Sequence, residues 1–214
     1  SGNVAIALDN MQLNLELAHS QKEIIFTLGE CVESRSKETA SHVRRVSECC
    51  RHLAGLLGFD AQNVDLVRLA SPMHDVGKIG IPDSILLKPG KLTVEEFEIM
   101  KTHTLLGYHI LKGSTRPIMQ AAAVIAFEHH ERWNGEGYPR GLSGDGIHPY
   151  GRVVCLVDVF DSLLSRRVYK EPWSLEETRE FILRERGCMF DPRMVDVLIR
   201  ELESFVAIRQ QFPD

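Results

Sequence analysis

The sequence predicts an all-α protein, and three observations support this fold class. Apolar residues recur every three or four positions through most of the 214-residue chain, which is the pattern of amphipathic helices. Thr93-x-x-Glu96 and Ser174-x-x-Glu177 are capping boxes, which mark helix starts. The composition, 43% hydrophobic and 26% charged, is that of a globular chain. We therefore expect a helical bundle.

The first predicted helix runs from Val4 to about Glu30. Its apolar residues form a loose heptad seam, made of Leu8, Met11, Leu15, Ala18 and Ile25. We interpret residues 1–30 as a coiled-coil-like signalling helix that links an upstream sensor to the main domain and supports a homodimer. The alternative is an ordinary amphipathic helix that packs on its own domain.

The main domain is predicted over residues 31–205, with a tail at 206–214. Its helices are expected at 37–57, 63–74, 93–113, 117–130 and 151–169, and from 174 and 191 onward. A strand at 153–157 is an alternative, but Asp158 and Asp161 stand at helical spacing. Residues 133–149 hold five glycines and two prolines, and this loop is too long for an idle connector.

Charge and cysteine usage exclude several classes of protein. The net charge of −5 disfavours binding to a nucleic-acid duplex. No apolar run reaches the roughly 18 residues that a membrane-spanning helix needs. The five cysteines are scattered without a paired spacing, which predicts reduced thiols and a cytoplasmic protein.

Histidines and carboxylates recur at spacings that suit metal ions. Glu38 and His42 lie four apart on one helical face. His129 and His130 would point about 100° apart on a regular helix, so we expect them to serve two neighbouring ions. The full set of candidate ligands is Glu38, His42, His74, Asp75, His103, His129, His130 and Asp158.

The chemistry of this set predicts two or three divalent ions. Eight ligands are too many for one ion, and the absence of a thiolate argues against a structural zinc site. Nitrogen and oxygen ligands suit iron or manganese, with nickel, magnesium and zinc as alternatives. The positive charge of two or three such ions exceeds the negative charge of three carboxylates. The loaded site therefore suits a phosphate substrate.

Several segments resemble the motifs of the HD-GYP family. Residues 74–83 read HDVGKIGIPD, like the HD motif, and residues 129–142 read HHERWNGEGYPRGL, like the GYP loop. LLKPGKLT at 86–93 also matches, as does DVFD at 158–161 followed by Arg167, Tyr169 and Lys170. The chain departs from the family at Thr104, where proline is usual, and at 166–168, where Arg-Arg-Val replaces Asp-Arg-Pro.

The resemblance covers residues 31–205 and implies an HD-domain helical bundle with a GYP loop extension. It implies hydrolysis of cyclic di-GMP, a bacterial second messenger, to pGpG, and in many members of the family onward to GMP. The eight candidate ligands correspond to the family's metal ligands. Members with a carboxylate at the position of Glu38 hold three ions and others two, so we expect three here.

The expected reaction is attack on phosphorus by a hydroxide that bridges two metal ions. The expected catalytic residues are Lys78, His74, Asp75 and Asp161. Lys78 would neutralise the transition state or protonate the leaving oxygen, and Asp161 would orient a ligand histidine or Lys78. Arg167, Lys170 and Tyr138 are expected to bind the substrate, although Tyr138 is also explained as a turn residue. Glu33 and Arg35 are read either as a surface salt bridge or as support for the site.

Two other functions are compatible with the same residues. One is a phosphodiesterase that prefers the hybrid dinucleotide 3'3'-cyclic GMP-AMP, since only base contacts would differ. The other is a non-catalytic module that binds the dinucleotide, a cyclase domain or another signalling partner.

Overall fold

The computed structural model describes residues 2–36, 39–166 and 171–213. Ten α-helices lie in these ranges: α1 (Gly2–Arg35), α2 (Ala40–Leu56), α3 (Ala61–Ala70), α4 (Asp83–Leu86), α5 (Val94–Leu111), α6 (Pro117–Glu128), α7 (Pro149–Leu164), α8 (Leu175–Arg184), α9 (Pro192–Arg200) and α10 (Leu202–Gln210). Short 3-10 helices span Ser71–Met73, Val76–Gly80 and Gly144–Gly146. Within the described ranges β structure is limited to two isolated bridges, which confirms the predicted all-α class.

Helix α1 is longer than predicted and reaches Arg35. Every side chain described between Ile6 and Ile24 is exposed, whereas Ile25 and Val32 are buried against the domain. Gly29 makes this packing possible, because a Cβ there would stand 2.5 Å from the carbonyl oxygen of Pro72. The end of α1 therefore belongs to the domain core. A homodimer through its exposed part stays a prediction.

Helices α2 and α3 position the first histidines. Thr39 caps α2 by accepting a hydrogen bond from the backbone N–H of His42, so α2 begins later than the predicted residue 37. Helix α3 ends at Ala70, four residues before the predicted end at 74. Pro72 lacks the N–H that an α-helix needs, and the chain continues as the 3-10 helix Ser71–Met73, directly before His74.

The core is built around α7, which packs against α2 and α6. Val153, Leu156 and Phe160 are fully buried, and the stretch is helical throughout, so the strand alternative at 153–157 is wrong. Helix α7 ends at Leu164 and not at the predicted residue 169, because Ser165 adopts an extended backbone.

Two helices close the domain where one was predicted from residue 191. Asp191 caps α9, and α10 follows and carries the buried Phe205. The predicted tail at 206–214 therefore includes part of α10. Beyond it, the carbonyl oxygens of Phe212 and Pro213 accept hydrogen bonds from Arg45 and Ser41 of α2. The boundaries at residues 30 and 205 stay a prediction.

Among the described helices, none is both long and apolar enough to cross a lipid bilayer. The five cysteines are free thiols, and three of them, Cys49, Cys50 and Cys155, are buried in the core. This agrees with the expectation of reduced thiols.

Substituting Gly77→Ala is expected to lower the free energy of unfolding by about 3 kcal/mol, since overpacking against backbone atoms is costly. A Cβ at Gly77 would stand 1.8 Å from the carbonyl oxygen of His103 and 2.5 Å from the backbone nitrogen of Gly107. Urea unfolding of both variants measures the effect. Gly55→Ala in α2 is the control, because its Cβ would meet nothing within 4 Å, and helix propensity predicts a gain of up to about 1 kcal/mol. Equal stability of the two variants would contradict the packing argument.

Candidate metal centre

Four of the predicted ligand histidines are fixed through their Nδ1 atoms. The acceptors are Asp161 Oδ2 for His42 (2.8 Å), the carbonyl of Ser71 for His74 (2.8 Å), that of Met100 for His103 (2.7 Å) and that of Ile125 for His129 (3.0 Å). Because these oxygens can only accept, each Nδ1 carries the proton. The lone pair of each Nε2 is then directed into the site, which is how metal-binding histidines are usually held.

One group of ligand atoms is formed by Asp75, His103, His129 and His130, which lie within 4.8 Å of one another. Asp75 Oδ1 lies 3.1 Å from His103 Nε2 and 3.6 Å from His129 Nε2. The expectation that His129 and His130 serve two ions assumed a regular helix, and the structure does not have one at this point. Helix α6 ends at Glu128, and the turn that follows brings both rings to the same group.

A second group is formed by His42, His74 and Asp158. Asp158 Oδ1 of α7 lies 3.4 Å from His42 Nε2 and 3.9 Å from His74 Nε2. The two groups adjoin, since the rings of His74 and His129 are 5.2 Å apart. The fold thus brings together seven of the eight predicted ligands. The eighth, Glu38, lies outside the described residues.

A third group contains Glu33, which we predicted only as a surface or supporting residue. Glu33 is 1% exposed, and its Oε1 lies 3.7 Å from His74 Nε2. Glu33, His74 and Asp75 thus offer ligand atoms that lie within 4.8 Å of one another. Gly29 is the residue in the sequence that could have indicated the burial of Glu33. It lies one turn earlier on the same face of α1, where the helix packs closely against Pro72. Arg35, two residues after Glu33, donates to the backbone carbonyls of Lys78 and Ile81 and also forms a salt bridge with the exposed Asp83 (2.8 Å), so both interpretations of this residue apply.

The buried polar atoms of the site fit a bound cation. Glu33 Oε1, His74 Nε2 and Asp75 Oδ1 are buried and have no hydrogen-bond partner. An imidazole nitrogen and carboxylate oxygens therefore face each other in a buried region, which is costly unless positive charge lies between them. The donors are imidazole and carboxylate, without a thiolate, and these suit hard or borderline divalent ions.

The pKa of His74 is shifted by the negative charge of the carboxylates around it. Burial alone would lower this pKa, but neighbouring carboxylates outweigh the burial and raise it to about 9. They belong to Asp75, Asp158 and Glu33. In the metal-free protein a proton is therefore held where an ion would bind.

We expect the affinity for Mn²⁺ to fall about tenfold for each pH unit below 9, because His74 must lose its proton before Nε2 binds an ion. Above its pKa the imidazole is neutral and competition ends. Equilibrium dialysis of metal-free protein against Mn²⁺ at pH 6.5, 7.5 and 8.5 measures this slope. A constant affinity over that range would show that no proton is displaced.

Lys78 and Tyr138 border the metal groups. Lys78 Nζ lies 2.5 Å from Asp75 Oδ2 and 3.5 Å from Glu33 Oε2, and its side chain is 16% exposed. The ring of Tyr138 lies 4.8 Å from that of His130. Burial, followed by the charge of Asp75, raises the pKa of Tyr138, so its hydroxyl stays a proton donor.

The loop that carries Tyr138 closes around a buried carboxylate. Glu131, 1% exposed, accepts hydrogen bonds from the backbone N–H groups of Arg140 and Leu142. Glu128 binds the guanidinium of Arg140 and the backbone N–H of His148. The loop is therefore anchored at several points and holds Tyr138 beside the ligands.

Asp161 is fully buried and touches a ligand histidine, as the sequence suggested. It accepts from Nδ1 of His42 and binds two arginines, Arg45 of α2 (Nε–Oδ1 2.9 Å) and Arg209 of α10. Arg45 was not anticipated, although it stands one turn after His42. Arg209 is 48 residues from Asp161 and gave no sequence signal. The predicted substrate residues Arg167 and Lys170 lie outside the described residues.

A helical bundle that gathers histidines and aspartates around a buried His-Asp pair is the arrangement of an HD domain, and its clustered side chains could hold metal ions. The HD domain family model matches residues 27–194, and the chain belongs to this family.

Curated relatives from two bacteria are similar to the chain. It is 44% identical to the 3'3'-cGAMP-specific phosphodiesterase 2 of Vibrio cholerae, over 99% of this chain and 41% of that protein. It is 42% identical to the cyclic di-GMP phosphodiesterase response regulator RpfG of Xanthomonas campestris, over 92% of this chain and 52% of that protein. The chain thus spans about half the length of these relatives.

Solved structures share the fold. A cyclic GMP-AMP specific phosphodiesterase of V. cholerae aligns with a TM-score of 0.65 at 19% identity, over 90% of this chain and 54% of that one. An HDG"Y"P protein from Bdellovibrio bacteriovorus aligns with a TM-score of 0.62 at 19% identity, over 86% of this chain and 68% of that one. At this identity the likeness concerns the fold alone.

Proposed function

We propose that the chain is a metal-dependent phosphodiesterase that hydrolyses cyclic di-GMP to pGpG and onward to GMP. The observation that carries this proposal is the contiguous, buried cluster of five histidines and the carboxylates of Asp75 and Asp158. Relatives that are named for phosphodiester cleavage of cyclic dinucleotides support the substrate class.

The described residues would hold two divalent ions, for which we propose iron or manganese. Asp75, His103, His129 and His130 would hold one, and His42, His74 and Asp158 the other. A third ion would require Glu38. When bound, the ions polarise phosphoryl oxygens and activate water.

Protein groups at the edge of the cluster complete the site. The ammonium group of Lys78 lies beside Asp75, where it would stabilise negative charge on the phosphoryl group and donate a proton to the leaving oxygen. The hydroxyl of Tyr138 would donate a hydrogen bond to the substrate. Asp161 would act through His42, whose ring it orients. Arg167 and Lys170 would bind phosphate or guanine.

The hybrid dinucleotide 3'3'-cyclic GMP-AMP is the second candidate substrate. A relative with this specificity aligns over 99% of the chain at 44% identity, which lies within the 42–46% of two cyclic di-GMP relatives. The metal cluster would serve both substrates, so base contacts near the GYP loop and residues 166–170 would decide the preference. A non-catalytic module is disfavoured because no ligand position has lost its side chain.

The free thiols support a cytoplasmic setting for this reaction. A homodimer through α1 and contacts with a cyclase domain would fit a signalling role.

Turnover by protein loaded anaerobically with iron or manganese tests the proposed function. Metal content is measured first, and each dinucleotide is then supplied separately, with the products resolved by chromatography. We expect metal-dependent release of linear dinucleotide, and the ratio of the two rates identifies the preferred substrate. Absence of cleavage of both dinucleotides by fully loaded protein would reject the enzyme and favour the binding module.

A further inference from the structure

Glu33 is a buried acid that is not among the eight metal ligands predicted from the sequence. It is 1% exposed, and it projects from the last turn of α1 towards the HD pair. Its two oxygens have different surroundings. Oε2 accepts from the hydroxyl of Ser36 (3.1 Å) and lies 3.5 Å from Lys78 Nζ. Oε1 is buried and has no hydrogen-bond partner.

A structural ion pair with Lys78 does not account for this arrangement. Lys78 lies closer to Asp75, at 2.5 Å, than to Glu33. A carboxylate held for stability alone would not leave one buried oxygen unsatisfied, because such an atom costs about 1–3 kcal/mol. The unsatisfied oxygen faces Nε2 of His74, which is also buried without a partner.

His74 limits how many ions this region can hold. Its Nδ1 donates to the carbonyl of Ser71, so Nε2 is its remaining ligand atom. One nitrogen lone pair binds one ion. The groups that contain His74, one with His42 and Asp158 and the other with Glu33 and Asp75, therefore surround the same ion.

We propose that Glu33 is a carboxylate ligand of the divalent ion bound by His74, supplied to the catalytic domain by helix α1. The inference rests on the proposed metal-dependent function. It concerns an ion that the described residues hold without Glu38, and it makes α1 part of the metal centre.

Mn²⁺ binding to metal-free protein tests this inference without reference to turnover. Dissociation constants and ions per chain are measured by equilibrium dialysis for the wild type, Glu33→Gln and Glu30→Gln. Glu30 is the matched control, since it stands one turn earlier on α1 and pairs with Arg44. We expect Glu33→Gln to weaken one ion at least about tenfold, while Glu30→Gln binds like the wild type.

Two further variants make the result decisive. Glu33→Asp keeps the charge but shortens its reach, so we expect an intermediate affinity; it also serves if Glu33→Gln fails to fold by circular dichroism. Glu38→Gln shows whether the effects of the two acids add. Wild-type Mn²⁺ binding by folded Glu33→Gln, with a changed pH profile of turnover, would overturn the inference and make Glu33 a positioning residue for Lys78.

The outcomes separate this inference from the proposed function. If Mn²⁺ binding depends on Glu33 but the chain cleaves neither dinucleotide, the proposed phosphodiesterase function is rejected and the role of Glu33 as a metal ligand is retained. If the chain cleaves a dinucleotide but Mn²⁺ binding does not depend on Glu33, the role of Glu33 as a metal ligand is rejected and the proposed function is retained.

Discussion

The variant Asp75→Asn is expected to lose about 10²–10³-fold in turnover and to bind fewer ions per chain. Asp75 is shared by two of the three ligand groups, and its two oxygens point in different directions. Oδ1 faces His103 and His129, whereas Oδ2 faces His74 and Lys78. Asparagine keeps the size but removes the charge that both ions need, and loss of one charge-stabilising group typically costs 10²–10³.

Metal content by atomic spectroscopy and initial rates on cyclic di-GMP measure this effect. Asp65→Asn is the matched control, because Asp65 is exposed on α3. We expect the control to keep its ions and its rate. An Asp75→Asn variant with full metal content and more than about a tenth of the wild-type rate would show that the carboxylate does not join the two groups.

The second large effect is expected on stability. Asp161→Asn should lower the free energy of unfolding by about 3–5 kcal/mol, the usual cost of breaking a buried ion pair from one side. Asp161 is fully buried, and Arg45 is 2% exposed, so the guanidinium would lose its carboxylate in a region that water does not reach. The same change leaves a single oxygen to accept from both the arginines and His42 Nδ1, so the ring of His42 is held less firmly and metal affinity should fall as well.

Asp196→Asn provides the comparison for this prediction. Asp196 also pairs with an arginine, Arg186, but both side chains are about half exposed. Exposed pairs contribute about 0–1 kcal/mol, so urea unfolding should barely change. If both variants lost the same free energy, burial would not govern the contribution of Asp161.

Local sequence signals predicted the helix starts well. Thr93, Ser174 and Asp191 cap helices where expected, because an N-cap and its partners lie within four residues. The ends of α3 and α7 were placed too late. In α3 the effect of Pro72 was underestimated, and in α7 the end depends on contacts beyond the helix.

The metal centre was predictable where its ligands lie in recognisable motifs, as for His74 and Asp75. Glu33, Arg45 and Arg209 were harder, since each acts through a partner far along the chain. Arg209 meets Asp161 only because α10 packs back onto α2 and α7. Likewise, the joint position of His129 and His130 required knowing that α6 ends at Glu128.

Helix α1 is continuous from its exposed part to the residues packed in the domain, so a rotation of one end is transmitted to the other. At about 1.5 Å per residue the helix is about 50 Å long, and its exposed part leads directly into the turn that bears Glu33 and Arg35. Turning the helix by about 10° around its axis moves a side chain 5–6 Å from that axis by about 1 Å. A shift of this size alters the geometry of a catalytic site enough to change rates about 100-fold. Because Ile25, Gly29 and Val32 pack the end of α1 into the core, torque applied at the far end of the helix would reach Glu33 through that packing.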